Sequence, residues 1–533
     1  MRMQHYILIL LLCYAVGQIS CSTIYRFRSN YKSVNALMHE TENLESKPFL
    51  KAHMQSGDVC ILADHWIVDP SGHFLSGIGE RYDFNRNSKY SGPLNIPVDS
   101  VAIFETNTKI EGSEVSRVRA LALLAGMDAA LGIYCLTNYK ACFGSCPTFY
   151  LNDKAPLTYA DAEGFSSAVT PSMEYADIDA LNGMHVNNGS FAITMKNEAL
   201  ETHCVNNINI LAYPLSSGER VYHTPDDAFF LCKGSFPVSS AEASEGNVTS
   251  LLDSADRKER FSLADSFNLN TREEVYLTFN DVKESSSLGL LLHFRQTLMT
   301  TYFIYSALSY MGDEVGDVLS RVERNHAMIK KLHNGIKEQL GDVDVYIWNP
   351  SGKRWVKQSG FYEVGPIAVN KQMMPLPNWA KGPHVRVKLI LNKGLWRLDY
   401  AALTEIKQRV DPPSYSPSVV FNKGLPDTAA RAALLSPDRH LVTMPGNEYK
   451  LLYDLPPYKG DYEIFLYSKG YYLEWIRPNW IAEKNFGLLH QMIQSPKQYL
   501  KTETGNYKRY EKAMEETFWN SRIDTKKFSY YEK

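Results

Sequence analysis

Apolar and polar positions along the chain follow two periods, and each marks a different kind of element. Period two is clearest in the last third. Val343, Val345 and Ile347 alternate with Asp344, Tyr346 and Trp348, and Asn349-Pro350-Ser351-Gly352 then turns the chain toward Trp355. Val385, Val387, Leu389 and Leu391 alternate with charged Arg386 and Lys388 before the turn at Asn392-Lys393-Gly394. Successive strand side chains face opposite ways, so both runs predict half-buried strands in hairpins. Looser alternation with turn residues covers 49–108 and 190–236. The helical period appears at Val315, Val318, Leu319, Val322, Ile329, Leu332, Ile336 and Leu340, one apolar stripe on an otherwise charged helix. It returns near the end, where Tyr507, Tyr510, Met514 and Phe518 share a face. Lys508, Glu511, Lys512 and Glu515 take the other.

Two further runs are apolar nearly all round. Residues 117–135 hold Leu121, Leu124, Met127, Leu131 and Ile133 with a single acid, Asp128. Such a helix is either central in a core or associated with a membrane. Asp128 favours the core, since a carboxylate at the bilayer centre costs ~2.5–3.5 kcal/mol. The run 288–311 is expected to be helical and to pack with the 315–340 stripe as a two-helix unit.

These elements divide the chain. Residues 1–21 read as a signal peptide, 22–47 as a polar tether and 48–112 as a small β-barrel-like domain. Residues 113–150 carry the apolar helix and a cysteine loop, 151–237 a β-sandwich-like region and 238–272 a polar linker. A helical unit follows at 273–340, a β-rich region at 341–470 and an aromatic, helical tail at 471–533. The fold class is α+β and β-rich multidomain: a small N-terminal SH3-like barrel, β-sandwich-like segments and a helical insert. The 33 Tyr, 23 Phe and 8 Trp agree with that, because rings pack well on pleated surfaces.

Arg2 followed by the apolar stretch 6–16 is the pattern of a secretory signal, too short for an ordinary membrane span. Ala15-Val16-Gly17 is one cleavage site. Ile19-Ser20-Cys21 is another, of lipobox type, although Gln18 stands where leucine is usual. The lipobox reading makes Cys21 a lipidation site and the membrane a partner through that anchor. Net charge is −3, and no basic patch is present that would neutralise phosphates, so nucleic acid is excluded as a partner.

Export bears on the cysteines. Cys60, Cys135, Cys142, Cys146, Cys204 and Cys232 remain after the signal, and an oxidising compartment permits disulfides among them. Cys60 falls in a strand and reads as a buried apolar cysteine. The other five are the disulfide or thiol candidates, with Cys142 and Cys146 on a tight loop marked by Gly144, Ser145 and Pro147. A short-loop disulfide, or one bond from each of the pair to Cys135, Cys204 or Cys232, is the leading expectation. Redox or metal work by this pair is the alternative, weakened because the spacing is not Cys-x-x-Cys and no second pair completes a zinc knuckle.

Other polar groups read as structure. Glu198, Glu201, Thr202 and His203 are expected on a solvated strand edge, and His223-Thr224-Pro225-Asp226-Asp227 in a turn. Ser166-Ser167 after Gly164 lacks the Gly-x-Ser-x-Gly spacing of a hydrolase elbow. Tyr471, Tyr472, Trp475 and Trp480 are expected to close a β core. No catalytic residue, metal ligand or cofactor is assigned.

The segment 141–150, Ala-Cys-Phe-Gly-Ser-Cys-Pro-Thr-Phe-Tyr, with Glu163-Gly164-Phe165-Ser166, resembles a group of uncharacterised exported bacterial proteins, many with lipoprotein-type signals. The stretches 197–213 and 391–403 resemble segments of the same group. The resemblance implies an envelope location and no particular activity. The expectation is a non-enzymatic cell-envelope protein, structural or binding, whose partner is another envelope protein or a glycan. A thiol- or metal-dependent factor using Cys142 and Cys146, and a hydrolase of unrecognised type, are the alternatives.

Overall fold

Strands carry most of this chain, and they form five sheets. The computed structural model describes residues 25–31, 34–41, 49–110 and 146–520, apart from 64, 84–87, 152–159, 182–188, 200, 283–286, 364, 445, 476–479 and 481–482. The signal segment with Cys21, and the 117–135 helix with Asp128, Cys135 and Cys142, lie outside the described residues.

The N-terminal sheet has seven strands. Phe74–Tyr82, Val59–Leu62, Leu50–Met54, Val101–Ile110 and Tyr25–Tyr31 lie side by side in that order, and Ser88–Pro97 and Ile67–Val68 both pair with Phe74–Tyr82. The stretch 22–47, expected as a tether, therefore supplies an edge strand and the helix α1 (Val34–Thr41). Tyr25, Phe27 and Tyr31 recur at period two, and that signal is hidden by the polar residues between them.

Two sheets then pack face to face over one core. Ser190–Lys196 and Glu448–Asp454 belong to one sheet, Glu201–Pro214 and Tyr462–Glu474 to the other. Phe191, Ile193, Tyr453, Ile208, Ile464 and Leu466 fill the space between. This sandwich draws strands from both the 151–237 and the 341–470 regions, so it joins distant parts of the chain.

A closed barrel of five strands lies in the middle of the chain. Glu219–His223, Asn370–Pro375, Ser287–Gln296, Trp396–Val410 and Phe229–Pro237 follow one another, and the last pairs back to the first. Ser287–Gln296 is a correction, since 288–296 was expected to be helical. It sits between two neighbours and is buried on both faces, so its apolar run shows no alternation. The helix α2 begins only at Met299 (Met299–Met311). The fifth sheet contains Arg272–Asn280, His384–Asn392, Val343–Asn349 and Arg354–Phe361. His384–Asn392 and Val343–Asn349 are the alternating strands expected from the pattern, whereas Arg272–Asn280 is a strand inside the 273–340 stretch expected as a helical unit.

The 238–272 stretch is a second correction. It carries the strands Ser240–Ala243, Gly246–Asn247 and Arg260–Phe261, and Ala241, Leu252 and Leu269 are fully buried. Its apolar residues are few, but Val238, Ala241, Val248, Leu252, Ala264 and Leu269 all reach the core. The helices α3 (Val315–Glu323), α4 (His326–Leu340), α5 (Thr428–Leu434), α6 (Phe486–Gln494) and α7 (Pro496–Asn520) complete the molecule. Helices α2, α3, α6 and α7 pack against the barrel and the fifth sheet in the largest core. Among the described residues, no helix is long and apolar enough to cross a membrane.

Candidate functional site

The helical layer does not close completely over the sheets. A cavity of about 130 Å³ remains between α2, α3, α4 and α6, walled by Phe303, Ala307, Met311, Leu319, Ile336 and Met492. Its inner end meets Leu395 and Gln296 of the barrel, and its far wall is Ser167, Val169 and Met173. A cavity of this volume is large enough for a benzene-sized guest.

Two cations stand in this otherwise apolar lining, Lys331 and Lys337, both on α4. Asn325 caps that helix by accepting the Met328 amide, and the apolar stripe then turns Ile336 and Leu340 inward. Lys337 follows Ile336 directly and lines the same wall. It is half-buried, with its ammonium 3.5 Å from the centre of the Tyr362 ring. Burial lowers its pKa, and Asp342 and Glu363 act the other way only through space. No carboxylate lies within ion-pair distance of Lys337 among the described residues. Lys331 is exposed and donates to Gln494 at 3.3 Å. The Lys331 end of the cavity faces solvent.

Behind the far wall lies the loop that carries Cys146. Cys146 and Phe165 both have left-handed backbones, with φ of 58° and 37°. The Cys146 thiol donates to Glu163 at 3.5 Å and lies 3.2 Å from the Ser166 hydroxyl. Glu163 accepts the amides of Ile367 and Ala368 at 2.8 and 3.1 Å. Only glycine fits at 365 beside it: φ is +143°, and a Cβ there would come within 2.1 Å of the Glu163 carboxylate. Asp177 accepts the Phe165 amide and Asp179 the Glu163 amide, so both buried carboxyls hold this loop. Burial pushes both well above the usual carboxylate range, reinforced by Asp179 for Asp177 and by Glu363 and Glu163 for Asp179.

A carboxylate beside sulfur disfavours thiolate, and Glu163 and Ser166 are groups placed at the Cys146 thiol among the described residues. Among the described residues, no group of three or more histidines, cysteines or acids is arranged to hold a metal.

The other expected residues are scattered. Cys204 is fully buried in the sandwich, Cys232 in the barrel wall and Cys60 in the N-terminal sheet. No disulfide joins any two of Cys60, Cys146, Cys204 and Cys232. That corrects the pairing of Cys146 with Cys204 or Cys232: Cys204 lies in the sandwich core, Cys232 in the barrel wall, and the Cys146 thiol is turned to Glu163 and Ser166. Pairings to Cys135 and Cys142 fall outside the described residues. Burial pushes the Cys60 and Cys232 thiols up to about 11 and about 12.

The solvated-edge reading of 198–203 is also corrected. Glu198, Glu201, Thr202 and His203 are buried, because this end of Glu201–Pro214 is flanked by Tyr462–Glu474 and Leu441–Thr443. Glu198 accepts from Thr148 and Tyr150 at 2.6 and 2.7 Å, and His203 lies 3.2 Å from Glu201. His223 ends a strand while Thr224–Ala228 forms the turn. Tyr471 and Tyr472 are buried in the sandwich core.

The cavity and its lysines were missed from the sequence. Their only trace is a cation directly beside an apolar stripe, which is also the ordinary edge of an amphipathic helix. No family model and no curated protein matches the chain. Among solved structures, it is aligned with the infectious bursal disease virus VP2 subviral particle at 10% identity, with 93% of each chain covered and a TM-score of 0.13. A second alignment is with dimeric latent PorU from Porphyromonas gingivalis, at 9% identity, 88% of this chain, 34% of that one and a TM-score of 0.12. Overlaps this poor assign neither a fold nor a family to the chain.

Proposed function

We propose that this is a non-enzymatic binding protein of the cell envelope, whose ligand has an apolar tail and an anionic head. One observation carries the reading: Lys337 stands on the wall of an apolar cavity without a carboxylate partner among the described residues. A desolvated ammonium gains most from an anion delivered together with its own apolar tail. Titration with pentanoate and with pentyltrimethylammonium, whose short tails suit a cavity of about 130 Å³, tests it by calorimetry. The anionic amphiphile is expected to bind one per chain and more tightly than the cationic one. K337M is expected to erase that preference, and A307W, which fills the cavity, to abolish binding. Equal affinity for both heads, or unchanged binding by A307W, would sink the reading.

The same proposal includes export, lipid anchoring at Cys21 and membership in the group of exported bacterial proteins with the cysteine segment. These rest on the signal pattern and on the 141–150 segment. Metabolic labelling with palmitate is the check: label on the wild type that C21S retains contradicts the anchor. The small unit 48–112 is taken as SH3-like. In support, four antiparallel strands meander from Leu50 to Pro97, and Val101–Ile110 returns beside the first.

A further inference from the structure

The fifth sheet buries only one of its faces. Val275, Leu277, Val345, Ile347, Val387 and Leu389 point into the main core. The alternate positions are half-buried or exposed, and they are not the short polar residues usual on a wet sheet face. Strand register places Tyr276, Lys388 and Tyr346 in one row across three strands. The next row holds Thr278, Arg386, Trp348 and Trp355. The rings pack against one another at steep angles: Trp348 and Trp355 have centroids 5.4 Å apart at 66°, and Tyr276 lies 5.9 Å from Trp355 at 60°.

Most charges on this face have partners, and Glu242, opposite Tyr276, accepts from Asn247 at 2.8 Å. Lys388 is bonded to Glu274 at 2.9 Å and Lys357 to Asp344 at 3.1 Å. Arg386 is different. It is exposed, lies 5.1 and 5.5 Å from the Trp348 and Trp355 ring centres, and has no carboxylate within ion-pair distance among the described residues. Stacking on the indoles keeps the guanidinium fork oriented.

Half-buried indoles beside the exposed Tyr276 ring, one guanidinium over the indoles and flanking carboxylates match a particular chemistry. A sugar ring has an apolar C–H face that stacks on an aromatic plane and a rim of hydroxyls that needs donors and acceptors. Glu274 and Asp344 can accept from such hydroxyls, and the Arg386 fork can hold a carboxylate or sulfate. A nucleic acid could stack its bases on the same rings, but its phosphates offer Glu274 and Asp344 no donors, whereas the hydroxyls of a glycan do. We propose that the aromatic face around Trp348, Trp355 and Arg386 binds an acidic glycan. This site shares no residue with the helical cavity.

Affinity electrophoresis of the full chain tests it, in gels cast with polygalacturonate, alginate or neutral dextran. The wild type is expected to be retarded by at least one acidic polysaccharide and not by dextran. R386A and W355A are expected to weaken that retardation about tenfold, the size of one good contact. Arg386 is exposed, so loss of binding in R386A is not loss of the fold. Retardation by neither acidic polymer, retardation of R386A equal to the wild type, or preferential binding of an oligothymidylate probe would each overturn the proposal.

Discussion

His223 shows how much a single buried polar group can set. Its ring packs against Phe229 and Phe465 at 6.3 and 5.8 Å, and its Nδ1 has no hydrogen-bond partner among the described residues. Burial alone lowers its pKa to about 4. A depressed folded-state value means that its contribution is fully present above the ordinary 6.5 and is lost as pH falls toward about 4. At ~1.4 kcal/mol per unit, the full window is worth on the order of 3 kcal/mol. H223F is therefore expected to raise stability at neutral pH by ~1 kcal/mol, by removing an unsatisfied buried atom. It should also flatten the acid slope by one proton. Urea unfolding at several pH values checks both; an unchanged slope would show that His223 does not titrate in this window. None of this was legible in the sequence, where His223 begins a stretch of metal-type residues that reads as an ordinary turn.

Elements were legible where burial is one-sided. His384–Asn392 alternates cleanly because one face meets the core and the other meets solvent. Ser287–Gln296 was not legible, because a strand covered on both faces loses its period and an apolar run fits a helix equally well. Helix α7 was found, but its face was rotated. The pattern put Tyr510 inside and Glu511 and Glu515 outside, whereas Tyr510 is 50% exposed and both acids are buried. Glu515 accepts the Leu298 amide at 2.9 Å and pairs with Arg397, and Glu511 accepts the Ala264 amide. These carboxylates act as connectors between α7 and loops from elsewhere in the chain. A hydrophobicity pattern counts them as surface, since it has no way to see their partners. The candidate site failed to show for the same reason: Lys337 is a surface cation by pattern and a cavity wall only in three dimensions.

At the scale of the molecule, the N-terminal sheet is joined to the body by a buried polar chain rather than by apolar contact alone. Glu105 lies 2.8 Å from His53 Nε2, and the Tyr471 hydroxyl lies 3.0 Å from Nδ1 of the same ring. The His53 and Tyr471 rings stack at 5.7 Å, and Lys51 approaches Glu105 at 3.5 Å. Burial lowers His53 to about 4, against the hydrogen bond and charge of Glu105; Lys51 adds to the lowering and Glu323 of α3 opposes it. A protonated His53 would have to donate through both nitrogens inside this seam, so the Tyr471 hydroxyl would have to turn its proton elsewhere. The seam is thus strongest above the ordinary histidine value of 6.5 and weakens as pH falls toward about 4. Hydrogen exchange, corrected for intrinsic rates, is expected to show amides of Leu50–Met54 and Val101–Ile110 losing protection before those of Glu448–Asp454 as the pH is lowered. Other buried histidines, including His223, also protonate in this range, so the decisive comparison is within one variant. H53Q can still bridge Glu105 and Tyr471 but does not titrate, and its N-terminal sheet should lose protection no earlier than the body. If H53Q and the wild type lose it in the same order, the His53 seam is not what sets the acid sensitivity of the N-terminal sheet.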